Sequence, residues 1–266
     1  MSLPSELETL VITTPAPHVL QVTLNRPAAA NAFNTTMAEE LMLVFEALAM
    51  DAGDARVVIL TGTGDRAFCA GGDLKERNGM SDAAWFSQHL IYERMVRAII
   101  ALPLPLVAAV NGAAYAGGCE LALACDFIYA ADHARFAQTE VKLGIIPGAG
   151  GTQLLTRAVG ERRARELILT GRPFTAQEAA SWGMVNRVLT SGELMPAVME
   201  VAMAIAGNAP VATRQAKMAI RGSADIGLSA GLTFEIESYN RTITTADRRE
   251  GVAAFVERRP AEFKGR

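Results

Sequence analysis

The first two thirds of the chain alternates short strand-like patterns with longer helical ones. Residues 19–25 (VLQVTLN) alternate apolar and polar side chains, as a half-buried strand does, and this pattern ends before Pro27. Residues 56–62 (RVVILTG) are almost continuously apolar, which is typical of a strand covered on both faces. Further strand-like stretches lie at residues 106–112 and 127–131. The alternation predicts an α/β fold.

Helical patterns separate these strands. Thr36 and Glu39 have the spacing of a capping box at a helix N-terminus. Apolar side chains then recur at helical spacing and predict one buried face, formed by Met37, Leu41, Val44, Phe45 and Leu48. Similar patterns predict a helix over residues 90–102 and another that begins at about Gly118.

From residue 152 onwards the pattern is mainly helical. Thr175 and Glu178 form a second predicted capping box, and Gly171 and Gly183 stand where helices would end. After GNAP (207–210) the pattern predicts only helices, over residues 211–221, 227–244 and 246–259. We therefore predict a core of residues 1–205 and a C-terminal helical region of residues 206–266, whose apolar positions predict an oligomer interface.

Composition and charge argue against several classes of protein. Half of the 266 residues are hydrophobic, so the chain can bury a large core. The net charge of −3 provides no overall basic field for nucleic acid or an anionic membrane. Three cysteines without C-x-x-C spacing argue against a disulfide framework. With no leader pattern and no apolar run of membrane-spanning length, we expect a cytoplasmic protein.

Glycines cluster at three junctions between a strand-like and a helix-like stretch. These are residues 68–76 (FCAGGDLKE), 111–126 (NGAAYAGGCELALACD) and 139–153 (TEVKLGIIPGAGGTQ). Small residues at such a junction let main-chain N–H groups face a cleft, and a helix N-terminus adds partial positive charge. Each cluster taken singly is equally consistent with a tight turn or close helix packing.

Other catalytic and binding motifs are missing from the sequence. It contains no phosphate-loop motif, no full dinucleotide-binding fingerprint and no G-x-S-x-G. His18, His89 and His133 are scattered without the spacing of metal ligands, so we expect no metal site.

Two glutamates stand beside apolar sequence at the glycine clusters. Glu120 opens the apolar stretch CELALACDF, and Glu140 ends the strand-like ARFAQTE. A carboxylate is costly to bury unless it is paired or used, and a capping or salt-bridging role stays open for each. If both meet beside a pair of main-chain donors, the set can stabilise an enolate and move protons around it.

Taken together, these motifs resemble the enoyl-CoA hydratase/isomerase (crotonase) superfamily from about residue 10 to the C-terminus. They occur in the family's order: NRPAAANAFN, AFCAGGDLKE, AAVNGAAYAGGCELALACD, FAQTEVKLGIIPGAGGTQ, LTGRPFTAQEAASWGMVNRV and FVERRPAEFKGR. The resemblance implies a crotonase-like superhelix of ββα units, with C-terminal helices that hold trimers together, commonly paired into hexamers. It implies an acyl-CoA thioester substrate and no separate cofactor, because coenzyme A is part of that substrate.

The resemblance also implies roles for individual residues. Ala70 and Gly117 would donate the two N–H groups that hold the thioester oxygen. Glu120 would activate water for addition at C3 of a 2-enoyl-CoA, and Glu140 would protonate C2. The acyl-CoA would contact Ala28, Ala30, Phe68, Gly71, Gly72, Asp73, Leu74, Gly118 and Lys264. Ala28 replaces the lysine often found after NRP, so that contact is either missing or supplied by Arg26.

Alternatives to a hydratase remain open within this resemblance. A 3,2-enoyl-CoA isomerase needs only the proton shuttle of Glu140, and the presence of Glu120 argues against it. A carnitinyl-type dehydratase would run related chemistry, and DLKERNGM (73–80) is similar to the methylglutaconyl-CoA hydratase branch. Both glutamates and the glycine clusters argue against a catalytically inactive scaffold.

A non-enzymatic alternative is RNA binding. Some members that share a DLKER stretch bind AU-rich RNA through lysines on the first helix. Here residues 36–50 contain three glutamates and no lysine, so RNA would meet repulsion. We therefore predict no nucleic-acid binding.

Overall fold

The computed structural model describes residues 6–223 and 226–266 and confirms the α/β architecture. Its strands are β1 (Leu10–Ala16), β2 (Val19–Leu24), β3 (Val57–Gly62), β4 (Ala67–Cys69), β5 (Leu106–Val110), β6 (Ala113–Tyr115), β7 (Phe127–Ala131), β8 (Arg135–Ala137), β9 (Phe174–Thr175) and β10 (Arg187–Leu189).

The helices lie between and after these strands. They are α1 (Thr35–Met50), α2 (Leu74–Arg77), α3 (Asp82–Ala101), α4 (Gly117–Ala124), α5 (Gly151–Val159), α6 (Glu161–Thr170), α7 (Ala176–Ser181), α8 (Ser191–Ala206), α9 (Pro210–Ser223), α10 (Leu228–Ile243) and α11 (Ala246–Glu257). Short 3₁₀ helices cover Pro27–Ala29 and Glu140–Leu143.

The strands form two sheets. The larger has the order β1-β2-β3-β5-β7-β10, in which only β1 is antiparallel to its neighbour. The smaller has the order β4-β6-β8-β9, in which β4, β6 and β8 are parallel. From β3 to β8 consecutive strands alternate between the sheets, and each pair is followed by helix, which is the ββα repeat that the resemblance implied.

Two helix-terminus predictions have different outcomes. The capping box of Thr36 and Glu39 is wrong, because the N-cap of α1 lies two residues earlier, where Asn34 accepts from Met37 N–H at 3.0 Å. The capping box of Thr175 and Glu178 is confirmed in both directions at the start of α7. Asn34 is a better N-cap than the threonine because its side chain reaches the first free N–H groups.

The smaller sheet gathers the three glycine clusters. Carboxyl ends of parallel strands meet at the same edge, so the segments after β4, β6 and β8 become neighbours. Gly72 follows β4, Gly117 follows β6, and Glu140 follows β8. The prediction that Glu140 closes a strand is wrong, because β8 ends at Ala137 and Glu140 begins a 3₁₀ helix.

The C-terminal part is helical, as predicted. Helix α8 packs on the larger sheet and ends at Ala206, and α9 begins at Pro210. The division at residue 205 therefore falls in the last turn of α8, and the separation into two domains stays a prediction. In the described part of the chain no single helix is long and apolar enough to cross a membrane; the bent pair of α8 and α9 passes that test by length and composition alone.

Candidate active site

A cleft of about 580 Å³ opens at the carboxyl edge of the smaller sheet. Glu120 and Glu140 both line it, together with Gly72 and Gly117. Most of the remaining wall is apolar and comes from the residue Phe33 before α1, from α3 (Trp85, Phe86 and Tyr92) and from the segment before α5 (Leu143, Ile145, Ile146 and Pro147). An apolar cleft with a few convergent polar groups is the usual form of a small-molecule site.

Glu120 is fixed by main-chain donors. It lies in the first turn of α4 and is only 2% exposed. Its Oε1 accepts from the N–H groups of Ala149 (2.8 Å) and Gly151 (2.7 Å), so the carboxylate faces the N-terminus of α5. Burial raises the pKa of Glu120, and these two N–H groups oppose the rise. The third glycine cluster therefore holds the carboxylate of Glu120.

Glu140 is the second buried carboxyl group in the cleft. It is 6% exposed, and its pKa is raised to about 7, mainly by burial. The negative charge of Glu120 adds to the rise, whereas the main-chain N–H groups of Glu140 and Thr139 oppose it. A carboxyl group with this pKa can both give and take a proton near neutral pH.

Gln138 is a further buried side chain beside Glu140, although nothing in the sequence singled it out. Its side chain is fully buried. With the amide oriented so that nitrogen and oxygen both find partners, it donates to Glu140 Oε1 at 3.1 Å and Oε2 at 3.3 Å. Its position two residues before Glu140, polar within an apolar strand end, is the signal that could have identified it.

The structure changes which residues can supply free N–H donors. Ala70 N–H donates to the Ala30 carbonyl at 3.1 Å, so the prediction that Ala70 holds a substrate oxygen is contradicted. Gly72 lines the same cleft, and its N–H has no acceptor among the residues described. Gly117 N–H, at the first position of α4, likewise lacks a protein acceptor in that range. The free pair is therefore Gly72 and Gly117.

The turn before α4 keeps side chains out of this place. A Cβ on Gly117 would lie 2.4 Å from Phe33 Cζ, so only glycine fits there. Ala116 adopts φ 51° and ψ −124°, a strained conformation for a residue with a side chain. Gly71 has φ 100°, and a Cβ there would lie 2.9 Å from the Tyr115 carbonyl oxygen. The main chain of the two clusters is therefore packed closely together.

Other predicted CoA contacts fall into two groups. Leu74 lines the cleft, as Gly72 does. Phe68 is 0% exposed in the core, so a ligand contact by its side chain is contradicted. Gly118 serves packing, because a Cβ there would lie 1.9 Å from the Cys69 carbonyl oxygen. Asp73 caps α2 and pairs with Arg26 at 2.9 Å.

The remaining predicted contacts lie at the surface, outside the cleft. Ala28 is exposed in the first 3₁₀ helix, and Ala30 is half-buried. Lys264 is exposed near the C-terminus, where its N–H donates to Asp247 Oδ1 at 2.7 Å. Because Arg26 is engaged by Asp73 and by the Ala32 carbonyl, the substitute charge expected from it is taken up within the protein.

The described residues give no evidence of a metal site or of a reactive thiol. No group of three or more histidine, cysteine, aspartate or glutamate side chains there is arranged to hold a metal. Cys69, Cys119 and Cys125 are free and buried, and burial raises the pKa of each thiol well above its usual range.

Fold and site together define a crotonase-type enzyme, and comparison with known proteins identifies the family. A family model of enoyl-CoA hydratase/isomerase matches residues 16–266. The chain belongs to this family.

Its relatives are similar along nearly the whole chain. A putative enoyl-CoA hydratase/isomerase of Bacillus subtilis, YngF, is 45% identical over 97% of this chain and 99% of its own. The short-chain-enoyl-CoA hydratase of Clostridium acetobutylicum is 40% identical over 93% of this chain and 95% of its own. The crystal structure of an enoyl-CoA hydratase from Bacillus anthracis matches with a TM-score of 0.95 at 43% identity, covering 97% of this chain and all of that one.

Proposed function

We propose that the enzyme is an enoyl-CoA hydratase that adds water across the 2,3 double bond of a 2-enoyl-CoA thioester to give a 3-hydroxyacyl-CoA. One observation carries the proposal: two buried glutamates in different surroundings line one cleft beside two main-chain N–H groups that have no acceptor in the described part of the chain. The names of the relatives from Clostridium acetobutylicum and Bacillus anthracis are consistent with it.

Each part of the site has a step in this reaction. The thioester oxygen accepts from Gly72 and Gly117 N–H, which draws negative charge onto that oxygen and makes C3 electrophilic. Glu120, ionised and fixed by Ala149 and Gly151, takes a proton from water as the water oxygen bonds to C3. Glu140, protonated, gives its proton to C2 as the enolate collapses. One proton then returns from Glu120 to Glu140, directly or through solvent, to restore the starting state.

The main competing function is 3,2-enoyl-CoA isomerisation in the same cleft. Moving a double bond needs one proton shuttle, a role that Glu140 alone can fill. The observation that favours hydration is the second carboxylate, because Glu120 is held by two N–H groups in a position that isomerisation does not require. Carnitinyl-type and methylglutaconyl-CoA-type reactions use the same chemistry on polar acyl chains.

A panel of 2-enoyl-CoA thioesters tests this proposal. Loss of the enoyl absorbance is followed with crotonyl-CoA, decenoyl-CoA and 3-methylglutaconyl-CoA, and the products are identified as 3-hydroxyacyl thioesters. We expect hydration of at least one member of the panel. Conversion of 3-enoyl to 2-enoyl thioesters without hydration of any member would replace this proposal by the isomerase.

We also propose a homo-oligomer built from trimers. Helices α10 and α11 expose large apolar side chains, among them Leu228 (80% exposed), Ile236 (55%) and Phe255 (86%). A monomer rarely leaves so many apolar groups in water along neighbouring helices. Light scattering of the purified chain at micromolar concentration should give a trimer or a dimer of trimers; a monomer would contradict the proposal.

A further inference from the structure

Arg77 is a buried cation in the wall of the cleft. It ends α2 and is 9% exposed. Its Nε donates to Gln88 Oε1 at 2.7 Å, and its Cζ lies 4.2 Å from the ring centre of Trp85 and 4.8 Å from that of Tyr92. Its Nη2 is buried and has no hydrogen-bond partner among the described residues. The guanidinium is thus held in place by its neighbours with donor capacity unused.

The nearby carboxylates are engaged elsewhere. Glu76 accepts from Thr35 N–H at 3.0 Å and from Gln88 Nε2 at 2.8 Å. Asp73 pairs with Arg26. Within residues 6–223 and 226–266, Arg77 therefore has no ion-pair partner. A buried charge and a buried donor without partners are costly, and a ligand that brings an acceptor with negative charge removes both costs.

Two aromatic rings, those of Phe33 and Tyr92, lie between Gly117 and Arg77 in the cleft. Phe33 and Tyr92 meet edge to face with their centres 4.7 Å apart. Phe33 lies against Gly117, one of the two free donors, whereas Tyr92 lies against Arg77. An acyl chain that starts at Gly117 and runs past both rings has its thioester near the glutamates. Its far end then runs towards Arg77, which lies against Tyr92.

We infer that Arg77 recognises a carboxylate at the far end of the acyl chain, so that the preferred substrates are CoA thioesters of short dicarboxylic acids. The inference rests on the proposed function for the site, because it takes the thioester to lie beside Gly72 and Gly117. Arginine suits this role, since its planar donors bind a carboxylate in two places and its face packs on aromatic rings.

Binding of saturated ligands tests this without catalysis. Adipyl-CoA is titrated into the protein by calorimetry against the analogue whose terminal carboxylate is a carboxamide. The parent should bind the carboxylate about 10- to 100-fold more tightly, as expected for a desolvated charge-assisted pair. Arg77→Met, which keeps the bulk and removes the charge, should reduce this ratio to about one or below. Arg77→Lys should give an intermediate ratio.

The control is Arg163→Met. Arg163 also stacks on a tryptophan, with its Cζ 4.6 Å from the Trp182 ring centre, but it lies on α6 outside the cleft. It should retain the preference of the parent. Equal affinity of the parent for both ligands, or a preference that persists in Arg77→Met, overturns the inference. Hydration of the panel of 2-enoyl-CoA thioesters, which includes 3-methylglutaconyl-CoA, is measured on the same preparations and reports on the proposed function separately. A protein that prefers the carboxylate ligand and hydrates no member of the panel contradicts the proposed hydratase but not the role of Arg77.

Discussion

Glu120 and Glu140 line one cleft, yet the protein holds them in different ways. Glu120 is fixed by two main-chain N–H groups at the start of α5, which favour its ionised form. Glu140 begins a 3₁₀ helix, contacts the amide of Gln138, and has a pKa raised to about 7. Two carboxylates whose surroundings differ in this way are suited to two different tasks, a fixed base and a proton donor.

The surroundings of the two glutamates also set the free-energy cost of burying each carboxylate. The N–H groups of Ala149 and Gly151 offset part of the burial of Glu120, whereas the charge of Glu120 adds to the cost of ionising Glu140. The two N–H groups favour the form of Glu120 that takes a proton, against the burial that raises its pKa, and the charge of Glu120 favours the form of Glu140 that gives a proton. The predictions below test this division of roles, from the largest expected effect to the smallest.

Glu140→Gln should have the largest effect. It removes the group placed to exchange a proton at C2, so hydration and any isomerisation should both fall by about two to four orders of magnitude. The measurement is kcat/KM for both reactions. Glu46→Gln, an exposed change on α1, is the control and should match the parent. Retention of either activity in Glu140→Gln would separate Glu140 from the chemistry at C2.

The N–H groups of Gly72 and Gly117 hold the thioester oxygen in the proposed mechanism. The step of Glu120 and the step of Glu140 should therefore both depend on them. Gly72→Pro removes an N–H that has no acceptor among the described residues, and turnover should fall by about two to three orders of magnitude. Gly72→Ala keeps the N–H, and its Cβ would lie no closer than 3.5 Å to Tyr92, so it should stay active. Thermal unfolding checks that both variants fold. Equal turnover of the two variants would show that this N–H does not hold the thioester oxygen.

Gly151→Ala should disturb both Glu120 and Gln138. A Cβ at Gly151 would lie 2.9 Å from Glu120 Oε1 and 2.9 Å from both amide atoms of Gln138, so these side chains must shift. A base displaced from its water should cost hydration about 10- to 100-fold, and any isomerisation should also fall because Gln138 donates to Glu140. Gly192→Ala, where a Cβ meets nothing within 4 Å, is the matched control. An unchanged rate of hydration in Gly151→Ala would mean that the exact position of Glu120 is unimportant.

The smallest effect concerns stability. The pKa of Glu140 is raised from 4.5 to about 7 on folding, so the folded state binds its proton more tightly than the unfolded state. Its contribution is favourable below pH 4.5 and is lost as pH rises towards 7. Glu140→Gln should therefore raise the free energy of unfolding by about 1–3 kcal/mol at pH 8 and by much less at pH 4.5. Denaturant unfolding at both pH values measures this, and a pH-independent difference would contradict the raised pKa.

The long elements could be predicted from the sequence, and the short ones could not. The continuous apolar run of β3 and the helical face of α1 carry enough residues for their periods to be recognised. Strands β4, β6 and β8 have three residues each, too few for an alternation to appear. These short strands bring the glycine clusters to one edge.

The sequence predicted those site residues whose role follows from their residue type and motif alone. Glu120, Glu140 and Gly117 were identified and line the same cleft. The free donor is Gly72 and not Ala70, because the Ala70 N–H donates to the carbonyl of Ala30, which lies 40 residues earlier in the chain. The burial of Arg77 depends on rings that α3 supplies, so DLKER alone gave no sign of a buried, unpaired cation.

The most direct test of the division of roles is Glu120→Gln, measured in two reactions on one preparation. Glutamine keeps the shape of the side chain and removes the base. Hydration of crotonyl-CoA should fall by about two to four orders of magnitude, while any conversion of 3-enoyl to 2-enoyl thioester should fall far less. Hydration at the parent rate in Glu120→Gln would contradict the assignment of Glu120 as the base and would favour the isomerase.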